Sequence, residues 1–354
     1  MAYLRIKSKP LDGTIMAQPS KSMAHRAIIC ASMAAGTSKI DNVVLSDDIS
    51  ATIGAVSQLG AEIKIEDSLK YIGRKLITID SNGKISSKEK VIDCRESGST
   101  ARFMMPITRL DDSSSTFTGC GRLTERPFDI YKNLFAEKGI TYKDNEGKMP
   151  IILSGRLTPG IYNLSGAVSS QFVSGLLFAL PLLEGDSEIN ITGDLQSLPY
   201  IKMTMEVLKE FGINIKHEAD YRKIIMPGNQ QYKALPLYVV EGDWSQAAFF
   251  CAMGVISGRI TITGLNIDSC QGDKVIMDIL QEMGAIPEIG DEGIKFSRTK
   301  LSGIRVDVSQ CPDLVPAVSV AASVAEGTTS IVNAARLRIK ESDRLMTTCR
   351  ELNN

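Results

Sequence analysis

Apolar residues recur at intervals of three and four positions in a series of segments, and a glycine follows several of them. This spacing is typical of amphipathic helices, because it places the apolar side chains on one face. The pattern predicts helices that end just before four glycines, where glycine can adopt the left-handed conformation of a helix cap: Gly60, Gly139, Gly212 and Gly284. These glycines stand about 70 to 80 residues apart, which indicates an internal repeat.

Each repeat also has an earlier apolar helix, and most of these helices precede a glycine and a β-rich stretch such as GDSEINIT or GRITITG. The earlier helices are predicted near 21–35, 99–110, 170–184, 244–257 and 312–326. The repeating unit is therefore helix, strand, helix, strand, and five starts are visible. The second helix of the fifth unit begins near 342–343, and the repeat places its glycine beyond Asn354. We expect a chain shortened within this unit, and a naturally frayed C-terminus is the alternative.

Length and charge limit the function classes. The chain has 354 residues and a net charge of −1, which suggests two ordinary domains and argues against a general nucleic-acid binder. Its longest near-apolar stretch, 172–183, is too short to span a bilayer, so no membrane association is expected. The N-terminus lacks a signal-peptide pattern, and the seven cysteines form no C-x-x-C pair. We therefore expect a cytoplasmic protein with reduced thiols.

The side chains available for chemistry are restricted. The chain has only two histidines, His25 and His217, so a multi-histidine metal site is excluded and a histidine-dependent triad has almost no candidates. Neither a P-loop nor a G-x-G-x-x-G fingerprint is present. Lysines, arginines, carboxylates and hydroxyls remain as candidates, and we interpret His25 as structural.

The first helix of each unit opens with small or charged polar residues. A helix N-terminus attracts anions, because its backbone N–H groups and its dipole both favour negative charge. Ordinary helix caps are the alternative, although the recurrence of these openings favours anion sites. The openings are PSKS, ESGST, SSQ, GDWS and CPD.

Two further segments carry mixed charges. GRLTERP offers planar guanidinium groups to a carboxylate or a phosphate, with a surface ion pair as the alternative. RLRIKESDR follows the buried-looking strand TSIVN, and Leu337, Ile339 and Leu345 would hold it in place. A segment held in this way could bind anions and transfer protons, whereas a solvated charge run is the alternative.

Eight motifs in order resemble those of the 5-enolpyruvylshikimate-3-phosphate synthases, the enolpyruvyl transferases of aromatic amino-acid synthesis. The resemblance runs from about residue 18 to 345, and SKS-x-x-HR with KESDR is its strongest pair. The motifs are QPSKSMAHRAIICASMAAGTS, LSDDISATIGAVSQLGA, ESGSTARF, GRLTERP, VSSQFVSGLLFALPLL, GDWSQAAFF, CPDLVPAVSVAASVAEGTT and RLRIKESDRL.

The resemblance implies an α/β fold with two domains, built from repeated βαβαββ-like units around buried helices, with the last unit missing here. One domain would span 18–235, and the other would be discontinuous, combining 1–17 with 236–354. The family usually continues for some 70 to 80 residues beyond this end, so weak or no turnover is expected from this chain.

The implied reaction transfers the enolpyruvyl group of phosphoenolpyruvate to the 5-hydroxyl of shikimate 3-phosphate, with release of phosphate. The two substrates would be the partners of a monomeric protein, and no cofactor or metal is implied. Contacts to shikimate 3-phosphate are implied for Lys21, Ser22, Arg26, Ser169, Ser170, Gln171, Ser197, Tyr200, Asp313 and Lys340. Contacts to phosphoenolpyruvate are implied for Lys21, Gly98, Ser99, Arg122, Gln171 and Arg344. Proton transfer is implied for Asp313 and Glu341, with Lys21 as a further catalytic group.

Two positions depart from the family pattern, and two other functions stay open. Arg336 stands where some members have Asn, and Phe103 follows Arg102 where many have Pro. A non-catalytic anion-binding protein would keep the same basic helix openings. An enolpyruvyl transferase acting on a UDP-sugar would share the fold, but it does not typically carry the two strongest motifs.

Overall fold

The computed structural model describes residues 10–85, 88–167, 169–339 and 342–353, and for residue 339 only the backbone. The chain divides into two compact units. The continuous unit is Pro19–Val240, and the discontinuous unit combines Met1–Gln18 with Glu241–Asn354. Lys340 and Glu341 lie outside the described residues, so their implied roles stay predictions.

Ten α-helices are present in the described residues, and they confirm the helices predicted from the apolar periodicity. None of them is long and apolar enough to cross a membrane. The five openings predicted from polar residues lie at helix starts, although a short 3-10 turn, Pro312–Leu314, precedes the last of them. The helices are α1 Lys21–Met33, α2 Asp47–Gln58, α3 Gly98–Ile107, α4 Asp129–Glu137, α5 Ser170–Ala179, α6 Leu198–Glu210, α7 Trp244–Ser257, α8 Ile276–Glu282, α9 Val315–Ala322 and α10 Arg344–Asn353.

Capping residues explain where these helices begin and end. A side-chain oxygen accepts a hydrogen bond from the first turn in α1, α2, α3, α5 and α7, where Ser or Asp occupies the N-cap. The four predicted capping glycines all have positive φ, between 72° and 106° for three of them and 108° for Gly284. The glycine signal in the sequence is therefore confirmed.

The strands give each repeat a common order. They are β1 Leu11–Met16, β2 Ala34–Val43, β3 Glu62–Asp67, β4 Lys75–Asn82, β5 Lys90–Asp93, β6 Ser115–Thr118, β7 Thr141–Asn145, β8 Lys148–Ser154, β9 Gly160–Ser165, β10 Ser187–Thr192, β11 Lys216–His217, β12 Lys223–Met226, β13 Tyr232–Lys233, β14 Tyr238–Val239, β15 Gly258–Thr263, β16 Glu288–Gly290, β17 Gly293–Ser297, β18 Arg305–Asp307 and β19 Ser330–Val332.

The continuous unit contains three equivalent sheets. Their orders are β13-β2-β4-β3, β5-β6-β8-β7 and β11-β12-β10-β9, and β14 also pairs with β2. In two of these sheets a parallel pair encloses the first helix of a repeat, as in β5–α3–β6 and β9–α5–β10, whereas in the third sheet β2 follows α1 and pairs in parallel with β13 and β14 from the end of the unit. The strand after the second helix then pairs antiparallel with a further strand, as β3 does with β4. The repeat is thus βαβαββ, as the resemblance implies, and the periodicity alone had missed the leading strand and the last one.

The first helices of the three repeats form the core of the continuous unit. Almost every residue of α1, α3 and α5 is buried, whereas α2, α4 and α6 bury one face only. α5 is apolar on nearly all sides, which requires that other elements surround it, whereas α1 and α3 also bury polar side chains such as Arg26 and Arg102 that find hydrogen-bond partners. Phe103 belongs to this core, because it is buried in α3 and its ring packs edge-on against Phe178.

The discontinuous unit repeats the pattern with fewer elements in its described part. Its main sheet has the order β1-β15-β17-β16, with β1 parallel to β15, and β18 pairs in parallel with β19. Trp244 of α7 and Leu337 are fully buried in its apolar core, and Leu345 packs against that core. The prediction that the strand in TSIVN is buried was wrong, because Ser330 is exposed and Ile331 and Val332 are only half-buried.

Candidate active site

Lys21 and Ser22 open α1, directly after the Ser20 cap. The Lys21 ammonium group forms an ion pair with Asp48 in the first turn of α2. The Lys21 side chain keeps 48% of its surface exposed, and Asp48 keeps 29%. A cation that is held but still accessible at a helix N-terminus is suited to binding an anionic substrate.

Arg26 lies one turn further along α1 and is only 2% exposed. Its Nε donates to Thr204 Oγ1 at 2.8 Å, Nη1 to the Ser22 carbonyl at 2.7 Å, and Nη2 to the Tyr200 carbonyl at 3.0 Å. Two of these partners, Ser22 and Tyr200, are themselves implied substrate contacts. The structure therefore gives Arg26 a role in fixing the backbone of α1 and α6 at this site.

The starts of α5 and α6 carry four further implied contacts. Ser169 caps α5 by accepting the Gln171 amide N–H at 3.4 Å, and Ser170 is buried in the first turn. Ser197 precedes α6 with a φ of 56°, a left-handed conformation that is costly for a residue with a side chain. Strained backbone of this kind is often retained at functional sites.

Gln171 joins the starts of α3 and α5. Its Nε2 donates to Ser99 Oγ at 2.8 Å, and its Oε1 accepts from Arg102 Nη1 at 2.9 Å. Arg102 is buried and stacks its guanidinium group on the rings of Phe128 and Phe172. The structure thus brings together Ser99 and Gln171, to which the resemblance assigned contacts to one substrate, and it adds Arg102 to them.

Gly98 makes room for two guanidinium groups. A Cβ atom added to Gly98 would lie 2.6 Å from Arg102 Nη1 and 2.6 Å from Arg126 Nη1. We call Arg102 and Arg126 the arginine pair. Two cations that meet at a helix N-terminus create a locally positive site, and their planar forks match carboxylate or phosphate oxygens.

Arg122 lies in the same loop as Arg126. It lies exposed in a short 3-10 turn, where its backbone N–H donates to Glu96 Oε1 at 3.2 Å. The motif GRLTERP contains both arginines, and the resemblance had assigned the contact to Arg122. The contact implied for Arg122 therefore stays a prediction.

His25 is structural in this arrangement. It is 1% exposed, and its Nδ1 lies 2.7 Å from Thr52 Oγ1. Burial, assisted by the positive charges of Lys21 and Arg26, lowers the pKa of the imidazole to about 3 despite the opposing effect of Asp48. The ring is therefore neutral near pH 7.

In the discontinuous unit, Asp313 and Arg344 form an ion pair. Arg344 Nη1 lies 2.6 Å from Asp313 Oδ1, and the side chains are 29% and 22% exposed. Asp313 lies in the 3-10 turn before α9, and Arg344 is the first residue of α10. Arg336 is half-buried in the 3-10 turn Ala335–Ile339, next to the fully buried Leu337.

Comparison with known proteins identifies the class. The family model for EPSP synthase (3-phosphoshikimate 1-carboxyvinyltransferase) matches residues 6–354. A 3-phosphoshikimate 1-carboxyvinyltransferase of Clostridium acetobutylicum is 50% identical over 355 residues, which cover 100% of this chain and 81% of that protein.

Solved structures agree with that match. The EPSP synthase of Acinetobacter baumannii superposes with a TM-score of 0.78 at 25% identity, covering 97% of this chain and 78% of the other. The enolpyruvyl transferase NikO of Streptomyces tendae shares the fold, with a TM-score of 0.67 at 16% identity over 91% of this chain and 75% of the other. The fold is that of the enolpyruvyl transferases. Within that class, this chain belongs to the EPSP synthase family.

Proposed function

We propose that this protein transfers the enolpyruvyl group of phosphoenolpyruvate to the 5-hydroxyl of shikimate 3-phosphate and releases phosphate. Membership of the EPSP synthase family supports this reaction. Both substrates carry a phosphate and a carboxylate, and the continuous unit presents basic side chains and helix N-termini that suit such groups. We place the reaction in the cytoplasm and expect a monomer.

The arginine pair is the structural feature that best supports the proposal. Arg102 and Arg126 meet at Gly98, and Gln171 links Arg102 to Ser99. We assign phosphoenolpyruvate to this place, with Gly98 and Ser99 at the helix start and Arg126 in the position that the resemblance gave to Arg122. A small ligand with several negative charges fits two guanidinium groups better than a neutral ligand does.

Shikimate 3-phosphate is assigned to the starts of α1, α5 and α6. Lys21 and Ser22 supply a cation and a hydroxyl, and Arg26 holds the Ser22 and Tyr200 carbonyls. The caps and first turns of α5 and α6 add hydroxyls for the phosphate and the ring. These residues are Ser169, Ser170, Ser197 and Tyr200.

The proposed chemistry needs one base and one acid. Asp313 accepts the proton of the 5-hydroxyl while the hydroxyl oxygen bonds to C2 of phosphoenolpyruvate. At the same time an acid protonates C3. Loss of a C3 proton and cleavage of the C2–O bond to phosphate then give the product. Lys21 and Glu341 are the candidate acids, and Arg344 is assigned to the carboxylate of phosphoenolpyruvate.

The test is phosphate release by the whole gene product from shikimate 3-phosphate and phosphoenolpyruvate, combined with calorimetric titration of shikimate 3-phosphate. Release that depends on both substrates is expected. Binding without any release would favour the non-catalytic anion-binding protein. Failure to bind shikimate 3-phosphate, together with binding of a UDP-sugar, would favour the other transferase.

A matched pair of variants tests the assignment of Arg126. Arg126→Gln removes one guanidinium group from Gly98, so we expect the KM for phosphoenolpyruvate to rise about 10- to 100-fold, the usual range for a charge-assisted contact. Arg122→Gln, the control in the same loop, is expected to change it less than about threefold. The reverse order of effects would restore the assignment to Arg122.

A further inference from the structure

A buried chain of hydrogen bonds crosses the first three helices of the continuous unit. His25 Nδ1 of α1 bonds to Thr52 Oγ1 of α2 at 2.7 Å, and Thr52 Oγ1 bonds to Thr100 Oγ1 of α3 at 2.7 Å. Thr100 Oγ1 then donates to Ser97 Oγ at 2.8 Å. We call these four residues the Thr52 network, and each is at most 2% exposed.

The Thr52 network fixes the helix start that carries the proposed phosphoenolpyruvate site. Ser97 is the cap of α3, and Thr100 lies in its first turn, so the two residues flank Gly98 and Ser99. The Nε2 atom of His25 has no hydrogen-bond partner among the described residues, which leaves its Nδ1 bond to Thr52 as the polar contact that orients the ring.

A second buried threonine occupies the equivalent position where α6 meets α1 and α5. Thr204 Oγ1 accepts from Arg26 Nε at 2.8 Å, lies 2.8 Å from Ser174 Oγ, and donates to the Tyr200 carbonyl at 2.9 Å. We call Thr204, Arg26, Ser174 and Tyr200 the Thr204 network.

The Thr204 network fixes backbone at the proposed shikimate 3-phosphate site. Arg26 holds the carbonyls of Ser22 and Tyr200, and its own orientation depends on the bond from its Nε to Thr204. Thr204 and Ser174 are both fully buried, so neither hydroxyl can exchange this bond for one to bulk water. Loss of one buried partner leaves the other unsatisfied, which favours rearrangement of the helix start.

We propose that Thr52 and Thr204 are positioning residues that adjust the two substrate sites separately, Thr52 for phosphoenolpyruvate and Thr204 for shikimate 3-phosphate. The inference rests on the proposed function and extends it to two residues that are buried beneath the site. Each threonine acts through the helix start that its network holds.

The test compares valine and serine at each position in the whole gene product. Valine keeps the shape of threonine without its hydroxyl, whereas serine keeps the hydroxyl. Thr52→Val is expected to raise the KM for phosphoenolpyruvate about 5- to 30-fold and the KM for shikimate 3-phosphate less than about threefold. Thr204→Val is expected to give the opposite pattern, with a matching loss of affinity for shikimate 3-phosphate in calorimetry.

Three controls separate positioning from general loss of structure. Thr52→Ser and Thr204→Ser should stay within about threefold of the wild type in both KM values, and kcat should change little in all four variants. Thr100→Val should reproduce Thr52→Val, and the double variant should add little, because both changes break one network. Thermal unfolding of each variant confirms that the measured enzyme is folded at the assay temperature.

The results distinguish failure of the inference from failure of the proposed function. A wild-type protein that neither binds nor converts the two substrates contradicts the function and this assignment together. A wild-type enzyme whose two valine variants raise both KM values equally contradicts the inference alone. Serine variants that behave like the valine variants would also overturn it, since the hydroxyl would then not be the group that matters.

Discussion

The proposed binding residues of the continuous unit and the proposed proton-transfer residues of the discontinuous unit are held in different ways. In the continuous unit, buried side chains such as Thr52 and Thr204 bond to the helix starts that carry the proposed substrate contacts. In the discontinuous unit, Asp313 and Arg344 are partly exposed and pair with each other.

This difference indicates two separate physical requirements. Binding a substrate through several helix N-termini requires that their backbone positions be fixed before the substrate arrives, and buried polar networks provide that rigidity. A base must instead exchange partners and protons, and a partly exposed ion pair is weak enough to allow it. Substitutions in the continuous unit should therefore affect stability and affinity together, whereas those at Asp313 should affect turnover alone.

The largest effect is expected from Asp313→Asn. An amide cannot accept the proton of the substrate hydroxyl, so kcat should fall by about 10²- to 10⁴-fold. The free energy of unfolding should change by at most about 1 kcal/mol, because the lost ion pair is partly exposed. Phosphate-release kinetics and denaturant unfolding measure the two quantities in the same preparation.

Asp278→Asn is the matched control for Asp313, because Asp278 lies exposed on α8 in the same unit. It should leave both kcat and stability near the wild-type values. If Asp313→Asn kept full turnover, or lost stability in proportion to turnover, the proposed contrast between the two units would be wrong.

Gly175→Ala should have the next largest effect, and on stability. Pro106 has no N–H to offer the Arg102 carbonyl one turn earlier in α3, and Tyr131 Oη bonds to that carbonyl at 2.8 Å. A Cβ atom on Gly175 would lie 2.2 Å from Tyr131 Oη and 2.3 Å from the Arg102 carbonyl oxygen. We expect a loss of about 3 kcal/mol from the clash and the broken hydrogen bond, measured by denaturant unfolding.

Gly54→Ala is the control for Gly175→Ala, because Gly54 is exposed in α2 and an added Cβ atom meets nothing within 4 Å. Alanine there should stabilise the protein by about 0.5 to 1 kcal/mol through its better helix propensity. Equal effects of the two substitutions would show that α3 and α5 are not packed as closely as the structure indicates.

Much of the fold follows from local signals in the sequence. The helix ends could be predicted from apolar spacing, capping serines and the four glycines, because these signals act within a few residues. The leading strand of each repeat and the last strand of each hairpin, such as β8 and β12, were not predicted from the periodicity of the helices. The strand β19 was taken for a buried one, although it is partly exposed.

Without the family resemblance, the candidate site was predictable only as far as its helix openings. Those openings identified Lys21, Ser99 and Ser170 as residues at helix starts, because caps are local features. Arg102 was missed because its function depends on Gln171, which is 69 positions away in the sequence. The same holds for Thr52 and Thr204, because their partners on other helices, such as His25 and Arg26, leave no pattern in the sequence of α2 or α6.

The smallest expected effect concerns the pH dependence of stability and the buried imidazole of His25. Its pKa in the folded protein is about 3, because burial and the charges of Lys21 and Arg26 disfavour protonation, whereas an unfolded histidine titrates near 6.5. Below pH 6.5 the unfolded chain therefore takes up a proton that the folded protein excludes. The titration of His25 therefore leaves the free energy of unfolding unchanged well above pH 6.5. It should lower that free energy by about 1 kcal/mol between pH 6.5 and 5.5.

The variant His25→Gln removes this titration, so its unfolding free energy should fall less steeply over the same pH interval. Denaturant unfolding at the two pH values measures the difference in slope, and carboxylates that titrate in both proteins cancel in the comparison. His217→Gln, which changes the exposed histidine of β11, is the control for removing an imidazole. If the slope in His25→Gln equalled that of the wild type, the imidazole of His25 would be protonated within the folded protein. The Thr52 network of the continuous unit would then have to accommodate a positive charge.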